Sequence, residues 1–288
     1  MRAPWQHSGD LPNVPRMRQE GVRVNYRLGR LSAAVVVVVL VSVWLSGCAT
    51  VSSPSNAQKG EVYGYIRDAM TGIAIETAGV RVAGMETSSD SLGYYIVDMV
   101  NAGTASVVAF QTGYVTLTTT VEVPEGGSVR RDCALIPSTT GDEYRFVLAW
   151  GADPQDLDSH LWVPIGGGNY YHVYFSDKGS VNEVPYAELD NDEITGYGPE
   201  TMTIYPEYSG LYTYAVYEYS GEGTLRTSGA TLRIYQGDDL LYSLTVPNQP
   251  CEDQWWWNVC TFDAQSAQFT IINTLQDSAP VPTLRMEK

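Results

Sequence analysis

Hydrophobic and polar residues alternate with a period of two along most of the chain after its first sixty positions. Val62 and Ile66, for example, alternate with Tyr63 and Tyr65, and the turn-forming segment 68–72 follows. A period of two places successive side chains on opposite faces of a β-strand, whereas an amphipathic helix repeats every 3.6 residues. The pattern therefore predicts an all-β fold.

The spacing of these alternating runs predicts two consecutive β-sandwich domains. Strand and turn segments recur roughly every 8–12 residues, which is typical of sandwiches. We expect about seven strands in a first domain, 59–136, and about eight in a second domain, 143–274. The segment 137–142, rich in Ser and Thr, is predicted as a linker, and the polar segment 275–288 as a frayed tail.

The first 47 residues have the pattern of an export signal. Six arginines lie within the first 30 residues, and a short apolar run follows from Leu31 to Leu45. This run is too short and too interrupted for a membrane span. It ends in Leu45-Ser46-Gly47-Cys48, which resembles a bacterial lipoprotein lipobox.

The lipobox resemblance implies cleavage before Cys48 and a diacylglycerol on its sulfur. We therefore expect a lipid-anchored protein of the cell envelope whose first partner is the membrane. Ala49 rather than Asp follows the cysteine, which favours the outer membrane where the cell has one. Segment 48–58, rich in Ser, Pro and Asn, is predicted as a tether.

Charge and composition limit the partners. The 288 residues include 33 Asp and Glu against 17 Lys and Arg, a net charge of −16. Nucleic acid is excluded as a partner because phosphates need Lys and Arg. Cations, sugars and other proteins are permitted.

Three cysteines follow Cys48. In an oxidising compartment Cys251 and Cys260 can close a hairpin-like loop, and we predict a disulfide between them. Cys133 lies in an apolar alternation and is predicted as a buried free thiol. No CxxC pair or Cys/His ligand spacing occurs, so a zinc site is not expected.

Acidic residues form the candidate metal site. In an extended segment Asp156, Asp158 and His160 share one face, and Asp190 and Asp192 do the same in theirs. If the two segments are neighbours, four carboxylates converge, and Ca²⁺ would neutralise them because it takes six to eight oxygen ligands. His160 would then orient a carboxylate. The alternative is two Asp-rich turns on a solvated surface.

Aromatic residues form the candidate ligand site. Trp255, Trp256 and Trp257 lie within the loop that the predicted disulfide would close, and Tyr63 and Tyr65 form a second platform. A loop tryptophan could stack on a sugar ring or anchor a protein partner. The alternative is that the tryptophans fill the end of the sandwich and the tyrosines are ordinary exposed strand residues.

A catalytic function is weakly supported. There is no Gly-x-Ser-x-Gly elbow, His-Glu-x-x-His motif or phosphate loop. Only His160 and His172 follow the signal segment. A hydrolase using the acidic residues Asp156, Asp158 and Asp190 is the less favoured alternative.

Short glycine-containing motifs recur through the first domain: Gly64–Arg67, Asp68, Thr71-Gly72, Ala78–Val80, Asp90, Gly93-Tyr94, Ala102–Thr104 and Gly113-Tyr114. Together they resemble the carboxypeptidase-regulatory-like family over residues 59–136. The resemblance implies a transthyretin-like or starch-binding-like sandwich that serves as an accessory module and has no catalytic residues. Some relatives bind carbohydrate.

The second domain has its own motifs: Trp150, Asp156–Leu161, Leu189–Asp192 and Gly196–Glu200. They resemble the YfaP-like family of exported bacterial proteins over residues 143–274, although Ser159 stands where leucine is more usual. That family has no established chemistry, so the resemblance implies fold and setting only.

These observations predict a non-catalytic, lipid-anchored binding or scaffolding protein of the cell envelope. No cofactor is required for this function, and Ca²⁺ is the candidate supporting ion. The partners we expect are the membrane, a carbohydrate or an envelope protein. A carbohydrate-binding surface protein that uses its exposed aromatics is the first alternative.

Overall fold

The computed structural model describes residues 58–248, 254–280 and 282. Nearly all of its regular structure is β-strand, so the prediction of an all-β fold is confirmed. The strands of the N-terminal half are β1 Lys59–Asp68, β2 Gly79–Val82, β3 Met85–Ser88, β4 Tyr94–Asn101, β5 Gly103–Phe110, β6 Leu117–Val123, β7 Ser128–Arg130 and β8 Cys133–Leu135.

The C-terminal half contributes eleven further strands and one short 3-10 helix, Leu225–Thr227. The strands are β9 Tyr144–Ala149, β10 Leu157–Pro164, β11 Tyr170–Val173, β12 Gly179–Ser180, β13 Ala187–Asn191, β14 Glu200–Ile204, β15 Leu211–Glu218, β16 Thr231–Gln236, β17 Asp239–Thr245, β18 Trp256–Asp263 and β19 Gln268–Gln276. Within the described residues no helix is long and apolar enough to cross a membrane.

The first sandwich packs two four-stranded sheets over one core. One sheet has the order β4-β1-β7 with β8 also paired to β1, and the other has the order β3-β2-β5-β6. Val62 and Ile66 of β1 are fully buried in this core, while Tyr63 and Tyr65 between them are partly exposed. The alternation expected for β1 is therefore present.

The last segment of the first sandwich forms two short strands, β7 and β8. Both pair with β1 in parallel, and the interruption lies at Arg131 and Asp132. There the Asp132 carboxylate accepts the backbone N–H of Tyr65 at 3.0 Å. A side chain thus replaces a ladder acceptor, which splits the strand.

The second sandwich packs a five-stranded sheet against a six-stranded sheet. Their orders are β11-β10-β15-β18-β19 and β12-β13-β14-β9-β16-β17. The core between them is rich in aromatic residues, including Trp150, Tyr212, Tyr214, Trp257 and Phe262.

The tryptophan-rich segment forms a central strand, which corrects the expectation of a loop tip. Trp256 and Trp257 begin β18, which lies between β15 and β19. Trp257 is fully buried, and its indole N–H donates to Asn273 Oδ1 at 2.7 Å. The period-two alternation places Trp256 on the opposite face.

The second sandwich also extends past residue 274, where we expected a tail to begin. Strand β19 continues to Gln276, and Leu275 is buried in the core opposite Trp257. The hydrophobic side chain of Leu275 is what keeps this segment in the sheet.

The predicted linker 137–142 is held against the second sandwich. Arg145, which is 3% exposed, donates to the carbonyl oxygens of Pro137 and Gly237 at 2.6 Å each. Thr201 Oγ1 donates to the carbonyl of Ala69 in the first sandwich at 2.6 Å. A small shared core of Ala69, Ile136, Val147 and Tyr235 lies beside these bonds.

Tyr65, expected to be part of a ligand platform, packs at the contact between the two sandwiches. The guanidinium carbon of Arg130 lies 4.9 Å from the centre of the Tyr65 ring and 3.4 Å from that of Tyr197. Tyr63 lies beside Tyr94, with ring centres 6.3 Å apart. The cation–π contact of Arg130 occupies Tyr65, so this tyrosine supports the fold.

Replacing Trp257 by alanine should destabilise the protein by about 3–5 kcal/mol, because it opens a cavity in the core and leaves Asn273 without its donor. Trp255→Ala should lower the free energy of unfolding clearly less, since Trp255 is already 40% exposed. Urea unfolding of the two variants measures the difference. Equal losses would show that Trp257 is not a core residue.

Candidate functional site

A ladder of stacked rings covers the outer face of the five-stranded sheet at β10 and β11. Trp162 and His172 are cross-strand partners, and their rings lie 4.6 Å apart with an interplanar angle of 4°. Tyr174 continues the stack beyond His172, at 4.3 Å and 6°. Alternation along both strands produces the ladder, because the residues between these rings point into the core.

Strands β15 and β18 continue this ladder across the sheet. Tyr217 and Trp256 are cross-strand partners with ring centres 4.7 Å apart. His160 joins the two groups, since its ring lies 4.7 Å from Trp256 and 5.0 Å from His172.

Two more exposed rings extend the ladder at one side. Phe175 and Tyr219 are 38% and 55% exposed, and their ring centres are 5.4 Å apart. We call the whole set the aromatic face: His160, Trp162, His172, Tyr174, Phe175, Tyr217, Tyr219 and Trp256. None of the five strands of this sheet contains Lys or Arg, so these strands place no positively charged side chain on the face.

The two histidines of the aromatic face bind each other. His160 Nδ1 and His172 Nε2 are 2.8 Å apart, so one ring donates a hydrogen bond to the other. Burial and the neighbouring His172 lower the pKa of His160 to about 3. His160 is therefore neutral, and it holds the stacked rings in place instead of orienting a carboxylate as we expected.

Three carboxylates converge at the end of the sandwich where β10 and β14 begin. We call Asp156, Asp158 and Glu200 the acidic cluster; each offers one oxygen, and these oxygens lie within 4.8 Å of one another. Asp158 is 3% exposed and Glu200 is fully buried. The sequence pointed to the two aspartates, whereas Glu200 comes from the opposite sheet.

The position of Glu200 follows from an open strand edge. Strand β11 pairs with β10 only from Leu161 onward, so the N–H of Ser159 has no strand partner on that side. Glu200 Oε2 accepts this N–H at 2.7 Å. A buried N–H must find an acceptor, and the glutamate supplies it.

Asp190 lies apart from the cluster, which corrects our expectation of four converging aspartates. A register shift in β13 between Leu189 and Asn191 breaks the alternation that would have placed Asp190 and Asp192 on one face. Asp190 instead accepts the hydroxyl of Thr203 at 2.8 Å.

Asp192 faces the acidic cluster. Its Oδ2 lies 3.0 Å from the ammonium group of Lys178, and its negative charge helps to raise the pKa of Asp156, Asp158 and Glu200. Of the four aspartates predicted as ligands, two therefore belong to the acidic cluster, and Asp192 is near enough for its charge to act on them.

Burial is the largest cause of the pKa shifts in the acidic cluster. It raises the pKa of Asp156 to about 6 and that of Asp158 to about 7, and neighbouring carboxylates add to both shifts. The pKa of the Glu200 carboxyl is raised as well, chiefly by its complete burial. Such a site binds either protons or a cation.

The structure separates the five aromatic residues that the sequence suggested for ligand binding. Trp256 lies in the aromatic face, Trp257 in the core, and Trp255 in a small cleft beside Glu218 and Gln254. Tyr63 and Tyr65 belong to the first sandwich. The alternation His160-Leu161-Trp162 and His172-Val173-Tyr174 was the signal that could have indicated the aromatic face.

Cys48 and Cys251 lie outside the described residues, as does the predicted signal segment 1–47. Cys133 and Cys260 are buried, and within the described residues no disulfide joins them to each other. Lipidation of Cys48 and the Cys251–Cys260 disulfide stay predictions.

No family model matches the chain, so both family resemblances stay predictions. A Bacteroides uniformis protein with a provisional description as carbohydrate-binding is 16% identical over 66% of this chain and 97% of its own, with a TM-score of 0.23. The Bacillus anthracis TIE protein is 13% identical over 65% of this chain and 31% of its own, with a TM-score of 0.26. A streptococcal ancillary pilin is 14% identical over 68% of this chain and 61% of its own, with a TM-score of 0.25.

In a chelator, Asp158→Asn should melt at a higher temperature than the unmodified protein at pH 8, and the two should converge near pH 4. Because the pKa of Asp158 is raised from 3.8 to about 7, the folded chain binds more protons than the unfolded chain between these values. The free energy of unfolding therefore falls as pH rises through this range. Thermal melting of both proteins between pH 4 and pH 8 measures this pH-dependent difference in stability.

Asp239→Asn, at an exposed position of β17, is the matched control and should follow the unmodified protein at every pH. A pH-independent difference between Asp158→Asn and the unmodified protein would contradict the raised pKa.

Proposed function

We propose that this chain is a non-catalytic, lipid-anchored binding protein of the cell envelope whose second sandwich binds neutral saccharides through the aromatic face. The observation that carries the proposal is the continuous set of eight rings on one side of the five-stranded sheet, of which two are exposed, five are partly exposed and His160 is buried. Soluble proteins rarely expose contiguous apolar patches of this kind unless the patch binds something.

The chemistry of the aromatic face favours a sugar. A pyranose ring presents C–H groups on its faces and hydroxyl groups at its edge, so it needs apolar rings with polar tips. Tyr219, Tyr174 and Trp162 each combine a ring with an O–H or N–H group. The absence of Lys and Arg from the sheet's five strands disfavours phosphates and acidic polymers.

The aromatic face is also preorganised. Trp162, His172 and Tyr174 stack at 4.3–4.6 Å with nearly parallel rings, so little side-chain freedom is left to lose when a ligand binds. Preorganisation of this kind lowers the entropic cost of association.

Two features favour binding over catalysis. His160, which could serve as a base, is neutral, buried and bonded to His172. The hydroxyl of Ser159 points to the core, 2.8 Å from that of Tyr214. The export signal and Cys48 support the envelope setting of the proposal.

The double variant Phe175→Ala/Tyr219→Ala should weaken saccharide binding by about 10-fold or more, because interface aromatics typically contribute over about 1 kcal/mol each. Both rings are exposed, so the fold should be unaffected. Affinity electrophoresis of the full chain in gels containing soluble α-glucan, β-glucan, galactan or xylan measures the change, with alginate as an acidic control polymer.

Leu240→Ala/Leu241→Ala is the matched control, since these residues are exposed on the other sheet. Retardation by a neutral polymer that this control keeps and the aromatic variant loses supports the proposal. Retardation by none of the neutral polymers would contradict sugar binding and favour a scaffold that docks protein. Cleavage of a polymer would contradict the non-catalytic part.

A further inference from the structure

Four carboxylate oxygens at one end of the second sandwich are buried without a partner among the described residues. They are Asp156 Oδ1, Asp158 Oδ2, Asp192 Oδ1 and Glu200 Oε1. A buried polar atom nearly always has a hydrogen-bond partner, and a buried carboxylate is far costlier to leave unpaired than a neutral group. Four such atoms in one place favour binding of a cation, although Asp192 already pairs through its other oxygen with Lys178.

Glu200 is the most informative member because the backbone already uses its other oxygen. Oε2 accepts the N–H of Ser159 at 2.7 Å, which fixes the side chain, and Oε1 is left free. Glu200 is 0% exposed, so bulk solvent does not reach this oxygen. Its burial is an observation independent of the clustering of acidic residues.

The spacing of the oxygens matches one ion. Two oxygens bound to the same Ca²⁺ at about 2.4 Å can be no more than about 4.8 Å apart. The ligand atoms of Asp156, Asp158 and Glu200 all lie within 4.8 Å of one another. A single cation can therefore contact all three.

We propose that Asp156, Asp158 and Glu200 bind a calcium ion, with Asp192 as a nearby fourth carboxylate. This site adjoins the aromatic face, since Asp158 is the cross-strand partner of Tyr217, but the proposal does not rest on sugar binding. It also replaces the four-aspartate set that the sequence suggested, because Glu200 takes the place of Asp190.

The donor set selects the type of metal. It consists of carboxylate oxygens alone, with no thiolate or imidazole among the three ligands, which favours hard cations over zinc or copper. Calcium tolerates irregular geometry and high coordination numbers, whereas Mg²⁺ demands a near-ideal octahedron and keeps its water.

A bound calcium ion would join parts of the fold that are distant in sequence. Asp158 lies in the five-stranded sheet, Glu200 begins β14 in the six-stranded sheet, and Asp156 ends the loop before β10. The ion would therefore clamp the two sheets at this end. Binding to the folded state alone would raise its stability.

Thermal melting of the purified full chain at pH 7.5, with CaCl₂ or with EDTA, tests the site. At a calcium concentration about 100 times Kd, the midpoint should rise by about 5–10 °C. Asp158→Asn should lose this rise, and Asp239→Asn should keep it. Calorimetric titration with CaCl₂ should give one ion per unmodified chain.

Asp156→Asn is a second ligand variant in case Asp158→Asn fails to fold, and it too should bind calcium at least 10-fold more weakly. No midpoint rise in the unmodified chain, or an equal rise in both ligand variants, would overturn the proposal. A larger rise with MgCl₂ than with CaCl₂ would overturn the assignment to calcium.

Discussion

The hydrogen bond from the N–H of Ser159 to Glu200 is the contact on which the acidic cluster of the second sandwich depends. It crosses from the five-stranded sheet to the six-stranded sheet at the point where β10 has no neighbour on that side. A hydrogen bond to a charged group contributes about 1.5–3 kcal/mol, and an unmet buried donor costs a similar amount. This need for an acceptor explains why a carboxylate is buried here. Because this carboxylate is buried beside Asp156 and Asp158, the three ionised groups would repel one another, and a positive charge would stabilise them.

The two candidate sites adjoin each other along β10 and β15. Asp158 begins the row of outward side chains that continues as His160 and Trp162, and its cross-strand partner is Tyr217 of the aromatic face. The backbone N–H of Tyr219 donates to the carbonyl of Asp156 at 3.2 Å. A cation that fixed Asp156 would therefore also fix the most exposed ring of the aromatic face. The proposed metal site and the proposed saccharide surface are distinct in chemistry, but one short segment positions both.

Local periodicity predicted the parts of this molecule that depend on a single strand. The alternation of Val62 and Ile66 identified β1, and the spacing of Asp156 and Asp158 placed them together. Glu200 could not be found in this way, because its partner is a backbone N–H of another sheet. The prediction that Asp190 joins the other aspartates was wrong because a register shift in β13 breaks the alternation there. The aromatic face depends on cross-strand register, as between Trp162 and His172, which the sequence does not state. The cysteines around the tryptophans suggested a loop, yet buried Trp257 and Val259 place that segment in the centre of a sheet.

Terbium luminescence is the most direct measurement of the central claim that buried carboxylates next to the aromatic face hold a calcium ion. Tb³⁺ takes the same oxygen ligands as Ca²⁺ and emits strongly when nearby tryptophan or tyrosine rings are excited. The account predicts sensitised emission from the full chain that calcium displaces, and emission at least 10-fold weaker at the same terbium concentration in Glu200→Gln. Equal emission from Glu200→Gln, or emission that calcium does not displace, would contradict it.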